Sequence, residues 1–212
     1  MNTINKIKEI VYLISINRYG SGSSDIMEHI YTLYKYAKEC DSVFETGVRG
    51  CISSWAFLYG LLDNNNGNKK TFFINDIEPC DINNLLQISK PFEIDIKYEW
   101  KNNLNLDIRE NYDITFIDTW HVYGQLKREL EKFSKITNKY IIMHDTTVDE
   151  IKGESIRCNH DILKESKVSG FSINEITKGL GPAIQEFLEN HNDWYVKEKY
   201  TNNNGLTILA KK

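Results

Sequence analysis

No stretch of this chain approaches the roughly 20 consecutive apolar residues needed to cross a bilayer. Its start, Met1-Asn2-Thr3-Ile4-Asn5-Lys6, carries no long apolar segment of the signal-peptide kind. The expectation is a chain with no membrane partner, in a reducing, cytoplasmic setting. A surplus of positive charge is also missing. Lys and Arg number 26 against 30 Asp and Glu, for a formal net charge of -4. That is poor material for gripping a nucleic-acid backbone, which wants a concentrated basic surface. The four cysteines, Cys40, Cys51, Cys80 and Cys158, form no CxxC pair and no zinc spacing. They are expected as ordinary buried or half-buried thiols, with Cys80 and Cys158 in loops. There is no GxSxG elbow for a nucleophilic serine. No internal repeat and no second-domain boundary can be read. With 212 residues, 41% apolar and 26% charged, the chain suits one domain over 1–212 with a substantial core, residues 1–23 forming an N-terminal extension.

What is present is an alternation of short apolar runs with helical patterns. Residues 24–39 read as a helix with Ile26, Ile30, Leu33 and Ala37 on one face. The preceding Tyr19-Gly20-Ser21-Gly22-Ser23 reads as a linker or lid. Strands are expected at 42–45, 71–75, 92–98, 112–117 and 139–143, and helices at 53–62, 81–89 and 123–136. Strands and helices alternating at this spacing indicate βαβ units and a mostly parallel sheet covered on both faces. The end differs. A helix over 182–191, with Ile184, Phe187 and Leu188 inward, precedes two strand-like runs joined by Asn202-Asn203-Asn204-Gly205, a hairpin signal. The asparagine clusters at 64–66, 102–103 and 202–204 read as loop filler. An apolar pattern at Ile7, Ile10, Leu13 and Ile14 fits either a homodimer contact or packing on the same chain.

Chemistry gathers at the strand ends, where open α/β sheets bind ligands. The series is Glu45-Thr46-Gly47-Val48-Arg49-Gly50, then Asn75-Asp76, then Ile117-Asp118-Thr119-Trp120-His121, then His144-Asp145-Thr146. Gly47 and Gly50 allow a tight turn that brings backbone N–H groups and a helix N-terminus over the first strand. The spacing is shorter than the full dinucleotide fingerprint, and no third glycine follows. Asp76 can take two hydrogen bonds from ribose hydroxyls, or cap residues after Pro79. Glu45 can order the glycine loop or meet an amino group of a cofactor. Asp118, Asp145, His144 and His121 can converge on a divalent cation, oxygen ligation suiting Mg²⁺ and histidine better suiting Mn²⁺. His121 can then act as a base near neutrality. The structural alternatives are a helix cap for Asp118, a loop histidine at 121 and a hydrogen-bonded pair at His144-Asp145.

These motifs resemble the class I S-adenosylmethionine-dependent methyltransferases, from about Asp25 to Ala210. Val43 to Gly50 resembles the family's glycine-rich first motif, Asp76 its ribose-holding acid, and the terminal hairpin its antiparallel sixth and seventh strands. The resemblance implies a Rossmann-like fold with a mostly parallel seven-stranded sheet and helices on both faces. It implies cofactor contacts at Glu45, Gly47, Arg49, Gly50, Asp76 and Asp118, with adenine near Glu99 and Trp100. The run from Gly179 to Ile184 and on through Gly205 to Leu209 resembles small-molecule and sugar methyltransferases of bacterial type.

Asp118-Thr119-Trp120-His121 is similar to the metal-and-base motif of catechol-type O-methyltransferases, with His121 where that group has a lysine. This implies a metal site at Asp118, His144 and Asp145 holding Mg²⁺ or Mn²⁺, and catalytic roles for His121 and Asp118. The expected activity is O-methyl transfer to a small hydroxylated acceptor such as a sugar, a glycan precursor or a nucleotide-sugar. Thr147, Glu150, Glu154, Ser155 and Arg157 are expected over the substrate, with Arg157 toward a phosphate or in solvent, and Trp120 and Tyr123 toward a ring or the core. A nucleic-acid substrate is not expected, since no NPPY-like tetrad follows the fourth strand. The alternative is a methyltransferase-like, cofactor-binding protein without transfer activity, serving as a tailoring helper or an interaction module.

Overall fold

The computed structural model describes residues 3–20 and 24–212. Most of the expected Gly-Ser linker therefore lies outside the described residues. Compactness divides the chain into two units, Met1–Ile117 and Asp118–Lys212.

In the first unit, helix α1 (Thr3–Ser15) is followed by α2 (Ile30–Lys38), strand β1 (Ser42–Thr46), α3 (Ile52–Asp63), β2 (Lys70–Asp76), α4 (Asn83–Ser89), β3 (Ile94–Trp100) and β4 (Tyr112–Ile117). β1 pairs in parallel with both β2 and β4, and β2 pairs in parallel with β3. Helix α3 is apolar on nearly every side, and residues Ser53 to Leu61 are all buried. A helix without a polar face must be covered all round. Here α1 and α2 pack on it, and Phe57 reaches Phe72 of β2 and Phe116 of β4. Phe44 stacks on Phe73 with centroids 5.1 Å apart, beside Tyr112. The apolar stripe of the N-terminal segment buries Ile7, Val11 and Ile14 within this unit, which answers its same-chain alternative. The expected helix over 24–39 begins with a 3₁₀ turn at Met27–His29 and becomes α-helical at Ile30, while Ile26, Ile30, Leu33 and Ala37 are all buried as read.

The asparagine run at 64–66 is not filler. Asn64, Asn66 and Asn68 all donate side-chain N–H groups to the Asp41 carboxylate, and Lys70 completes the cage at 2.6 Å. Burial pushes Asp41 up, but these donors, Lys70 foremost, outweigh it and hold its pKa at about 2.

The second unit runs α5 (Tyr123–Phe133), β5 (Thr137–His144), α6 (Glu154–Arg157), α7 (Ile162–Ser169), α8 (Ile173–Thr177), α9 (Leu180–Asn190), β6 (Trp194–Tyr200) and β7 (Leu206–Lys211). β7 pairs antiparallel with both β5 and β6. Helix α9 buries Leu180, Ala183 and Phe187 and leaves Ile184 and Leu188 half-exposed, a face turned from the one expected. The hairpin turn takes three consecutive left-handed residues, Asn203, Asn204 and Gly205, the conformation that asparagine and glycine tolerate best. The strand order β3-β2-β1-β4-β5-β7-β6 gives the mostly parallel seven-stranded sheet that ends in an antiparallel hairpin.

Candidate active site

In the first unit the glycine loop forms as read, but its strain falls elsewhere. Gly47 sits at φ +84°, while Arg49 and Cys51 also take positive φ, +45° and +59°. Gly50 does not, and a Cβ there would meet nothing closer than 3.9 Å. The loop is held by Asp76. One carboxylate oxygen accepts the backbone N–H groups of Val48 and Arg49 at 2.8 and 2.9 Å, and the other accepts Glu78 N–H at 3.0 Å. Burial raises the Asp76 pKa, and these three N–H donors more than reverse it.

Glu45 is fully buried and accepts the hydroxyls of Ser53 and Ser54 at the start of α3. It therefore fixes the helix that follows the loop through the Ser53 and Ser54 side chains. Glu99 and Trp100 lie inside β3, where Asp76 and Trp100 are register partners. Trp100 is 63% exposed and Ile77 66%, so two bare apolar side chains flank the acid. A nucleoside fits this arrangement, the apolar pair offering walls for a base beside the Asp76 carboxylate.

In the second unit four acids converge on one imidazole. His121 lies between β4 and α5, and its side chain is 8% exposed. Its Nε2 is 3.2 Å from Asp118 Oδ1. Its Nδ1 is 3.2 Å from Asp145, 3.3 Å from Asp149 and 3.6 Å from Glu154, while Glu154 also accepts the His121 backbone N–H. Burial pushes His121 toward the neutral ring, but Asp118 and Asp149 prevail and raise its pKa well above the ordinary value. Burial raises Asp118, and His121 and His144 outweigh it, keeping that carboxylate ionised.

His144 joins the cluster from the end of β5. It donates Nε2–H to the Asn203 carbonyl at 3.1 Å and sets Nδ1 3.5 Å from Asp118 and 3.4 Å from Asp145. Burial lowers His144, the two carboxylates raise it more, and its pKa reaches about 10. Asp145 itself takes φ +57°, a strained conformation for a residue with a Cβ.

One donor atom each from Asp118, His121 and Asp145 lies within 4.8 Å of the others. His121 Nδ1 and Asp145 Oδ1 are buried without a hydrogen bond. Buried polar atoms rarely go unsatisfied, and a cation among acids would satisfy such an oxygen. The donor set thus fits a divalent cation, with the two carboxylates closest to what Mg²⁺ prefers.

Several of the other expected substrate contacts have internal partners, whereas the Thr147 hydroxyl is buried without a hydrogen bond. Trp120 stacks on Phe171 at 5.8 Å and donates Nε1–H to Ser155. Tyr123 donates its hydroxyl to Glu186, and Glu150 pairs with Lys199. Arg157 is partly exposed and grips Asp149 with two hydrogen bonds of 2.7 and 2.8 Å. Asp149 is the residue the sequence reading missed. Asp149 N–H bonds back to Asp145 C=O, and the turn between them brings both carboxylates to His121 Nδ1.

A groove of about 620 Å³ runs along α9 and the hairpin, with Thr146, Thr207, Ile184, Leu188 and Val196 on its walls. None of Asp118, His121 and Asp145 lines it. The chemistry is therefore assigned to the cluster and not to the groove.

No protein-family model matches the chain, and no curated protein matches it in sequence. Solved structures do share its fold. The N-methyltransferase NodS from Bradyrhizobium japonicum WM9 superposes with a TM-score of 0.56 at 12% identity, over 88% of this chain and 96% of that one. The O-methyltransferase TomG from Streptomyces achromogenes, involved in tomaymycin synthesis and solved with SAM, gives 0.55 at 9% identity, over 100% and 90%. An O-methyltransferase from Bacillus cereus, in complex with SAH, gives 0.53 at 13% identity, over 100% and 91%. The architecture is thus the Rossmann-like fold of class I methyltransferases. No helix among the described residues is long and apolar enough to cross a membrane.

Proposed function

We propose that the chain, folded as one methyltransferase-like domain, transfers the methyl group of S-adenosylmethionine to a hydroxyl of a small acceptor such as a sugar or glycan precursor. The observation that carries the reading is the buried convergence of Asp118, His121 and Asp145 at strand ends, in a fold shared with O- and N-methyltransferases. The Val48–Gly50 loop, Asp76, Ile77 and Trp100 receive the nucleoside. Asp118 and Asp145 hold Mg²⁺ or Mn²⁺, with His144 steadying both carboxylates.

When bound, the cation supplies positive charge that offsets the acids around His121 and eases loss of the acceptor's proton. His121 Nε2, beside Asp118, takes that proton. The acceptor oxygen then forms its bond to the methyl carbon as the carbon–sulfur bond breaks, and the sulfonium leaves as a neutral thioether. No covalent enzyme intermediate is needed, so the absence of an activated serine or cysteine costs nothing.

The second reading is a cofactor binder without turnover. Calorimetric titration with S-adenosylmethionine, with Mg²⁺ or Mn²⁺ and again after chelation, separates the two. Cofactor binding together with cation binding that Asp118→Ala abolishes supports transfer. Cofactor binding without any cation supports the silent reading, and no cofactor binding sinks both.

A further inference from the structure

Strand β3 is an edge strand, paired on one side only, with β2. Trp100 is its last residue, and the register between the two strands ends there, opposite Asp76. One backbone bond follows, from Lys101 N–H to Asp76 C=O at 2.7 Å. The end of an edge strand is where a chain opens first. Trp100 is 63% exposed, so its own burial adds little to hold it. Yet this residue supplies a wall of the nucleoside site described above.

The support comes from the Asn75 side chain. Asn75 is the next-to-last residue of β2 and is fully buried. Its Nδ2 donates to Glu99 C=O and to Lys101 C=O, both at 2.9 Å, with Asp76 C=O farther off at 3.4 Å. These two carbonyls stand before and after Trp100, so one amide group holds the backbone on both sides of the indole. Carbonyls only accept, which settles which end of the amide faces them. Oδ1 then faces Thr46, whose hydroxyl donates to it at 2.8 Å. Thr46 Oγ1 in turn accepts Asn103 Nδ2–H at 3.0 Å. Asn103 opens a 3₁₀ turn, Asn103–Asn105, just beyond β3. The bonds therefore run in one direction, from Asn103 through Thr46 and Asn75 to the carbonyls around Trp100. Thr46 and Asn103 are buried too, where water does not compete and losing a partner is costly. An apolar residue at position 75 would fill the space; the amide adds a hold on one particular place.

We infer that Asn75 is the positioning residue of the nucleoside site: its side chain extends the β2–β3 ladder past the last strand bond and fixes Trp100 beside Asp76. The inference rests on the reading of this unit as the S-adenosylmethionine site. Asn75, fully buried, has no surface to offer the cofactor and acts through Trp100.

The experiment is a double-mutant cycle read by calorimetric titration with S-adenosylmethionine, with amide hydrogen exchange of the same proteins followed by NMR. Asn75→Ala should weaken binding several-fold, by no more than Trp100→Ala does. The double variant should bind within about twofold of Trp100→Ala alone, because the hold has nothing left to position. Exchange at the Lys101 amide should speed up on the order of tenfold in Asn75→Ala, as local protection is lost, while Phe72 and Phe73 in the middle of β2 keep theirs. Thr46→Val takes away the hydroxyl that orients the Asn75 amide. It serves where Asn75→Ala fails to fold, and should act in the same direction but less strongly. Losses in the two single variants that multiply in the double overturn the inference, since a merely structural residue would weaken binding with or without the indole. Unchanged exchange at Lys101 overturns it as well. Wild type that binds no S-adenosylmethionine, with the exchange effect present, defeats the cofactor reading and leaves the hold on Trp100 standing.

Discussion

Replacing Gly179 with alanine measures how closely the start of α9 is docked on the segment that carries Asp149. Gly179 has φ −84° and ψ −168°, an extended backbone that any residue adopts, so alanine brings no conformational strain. The cost is one of space. The new Cβ would lie 2.2 Å from Asp149 O and 2.7 Å from both the C and the O of Glu150, all backbone atoms that cannot swing aside. The strands of chain must part by on the order of 1 Å, at the usual overpacking cost of about 1–3 kcal/mol. Separation also stretches the bonds from Gly179 N–H to Ile151 C=O and from Leu180 N–H to Asp149 C=O, each worth about 1 kcal/mol. The sum is on the order of 3 kcal/mol, or a fall in Tm of about 6–12 °C for a chain of this length.

Two other glycines calibrate the argument. Gly181 would place its Cβ 2.9 Å from Glu150 O, a milder conflict costing about 1 kcal/mol. Gly50→Ala meets only ordinary contacts and should lie within about 0.5 kcal/mol of wild type. Urea unfolding of the three variants gives the ranking directly. A Gly179→Ala protein as stable as wild type, or a cost at Gly50 exceeding that at Gly179, would refute the close-docking reasoning.

Acid should unfold the first unit partly through Asp41. Its folded pKa lies below the unfolded value, so its contribution is complete above about pH 4 and is lost as pH falls toward 2, on the order of 1 kcal/mol after allowance for its partial exposure; Asp41→Asn should flatten the stability curve in that window, as followed by circular dichroism. Glu45→Ala strands the Ser53 and Ser54 hydroxyls in the core and should cost about 2–4 kcal/mol by urea unfolding; a change below 0.5 kcal/mol, itself about the scatter of surface substitutions, counts against it. Trp100→Ala, at a largely exposed site, should leave stability within about 0.5 kcal/mol and weaken S-adenosylmethionine binding several-fold by calorimetry. Mg²⁺ at a hundred times its Kd should add about 2.7 kcal/mol of stability, visible as a Tm rise that EDTA reverses and Asp145→Ala lacks.

Strands β1, β2, β4 and β5 were legible because each holds a short apolar run closed by an acid, a glycine or both, and β4 falls at Tyr112–Ile117 as read. The segment from 159 to 178 was not. Helix α7 has no buried residue, and Leu163 and Val168 are 71% and 79% exposed, so no apolar periodicity existed to betray it. Helix α8 did carry a sign, the reciprocal cap of Ser172 and Glu175, which a search for apolar faces passes over. At the site, acids at strand ends could be named from sequence, but their partners could not. Nothing in the pattern says that Arg157 turns inward to Asp149, or that His144 gives its Nε2–H to the hairpin turn and not to the cluster. Those choices belong to tertiary packing.

The left-handed backbone at Asp145 sets what the fold wants against what the chemistry needs. Left to stability alone, position 145 should drift toward glycine, which holds that conformation without a Cβ penalty. A library of position-145 variants selected only for resistance to proteolysis should therefore enrich glycine, and the survivors should bind no cation. An acid kept there against the preference of the backbone is what the proposed cation site requires, and that opposition can be read from this one fold.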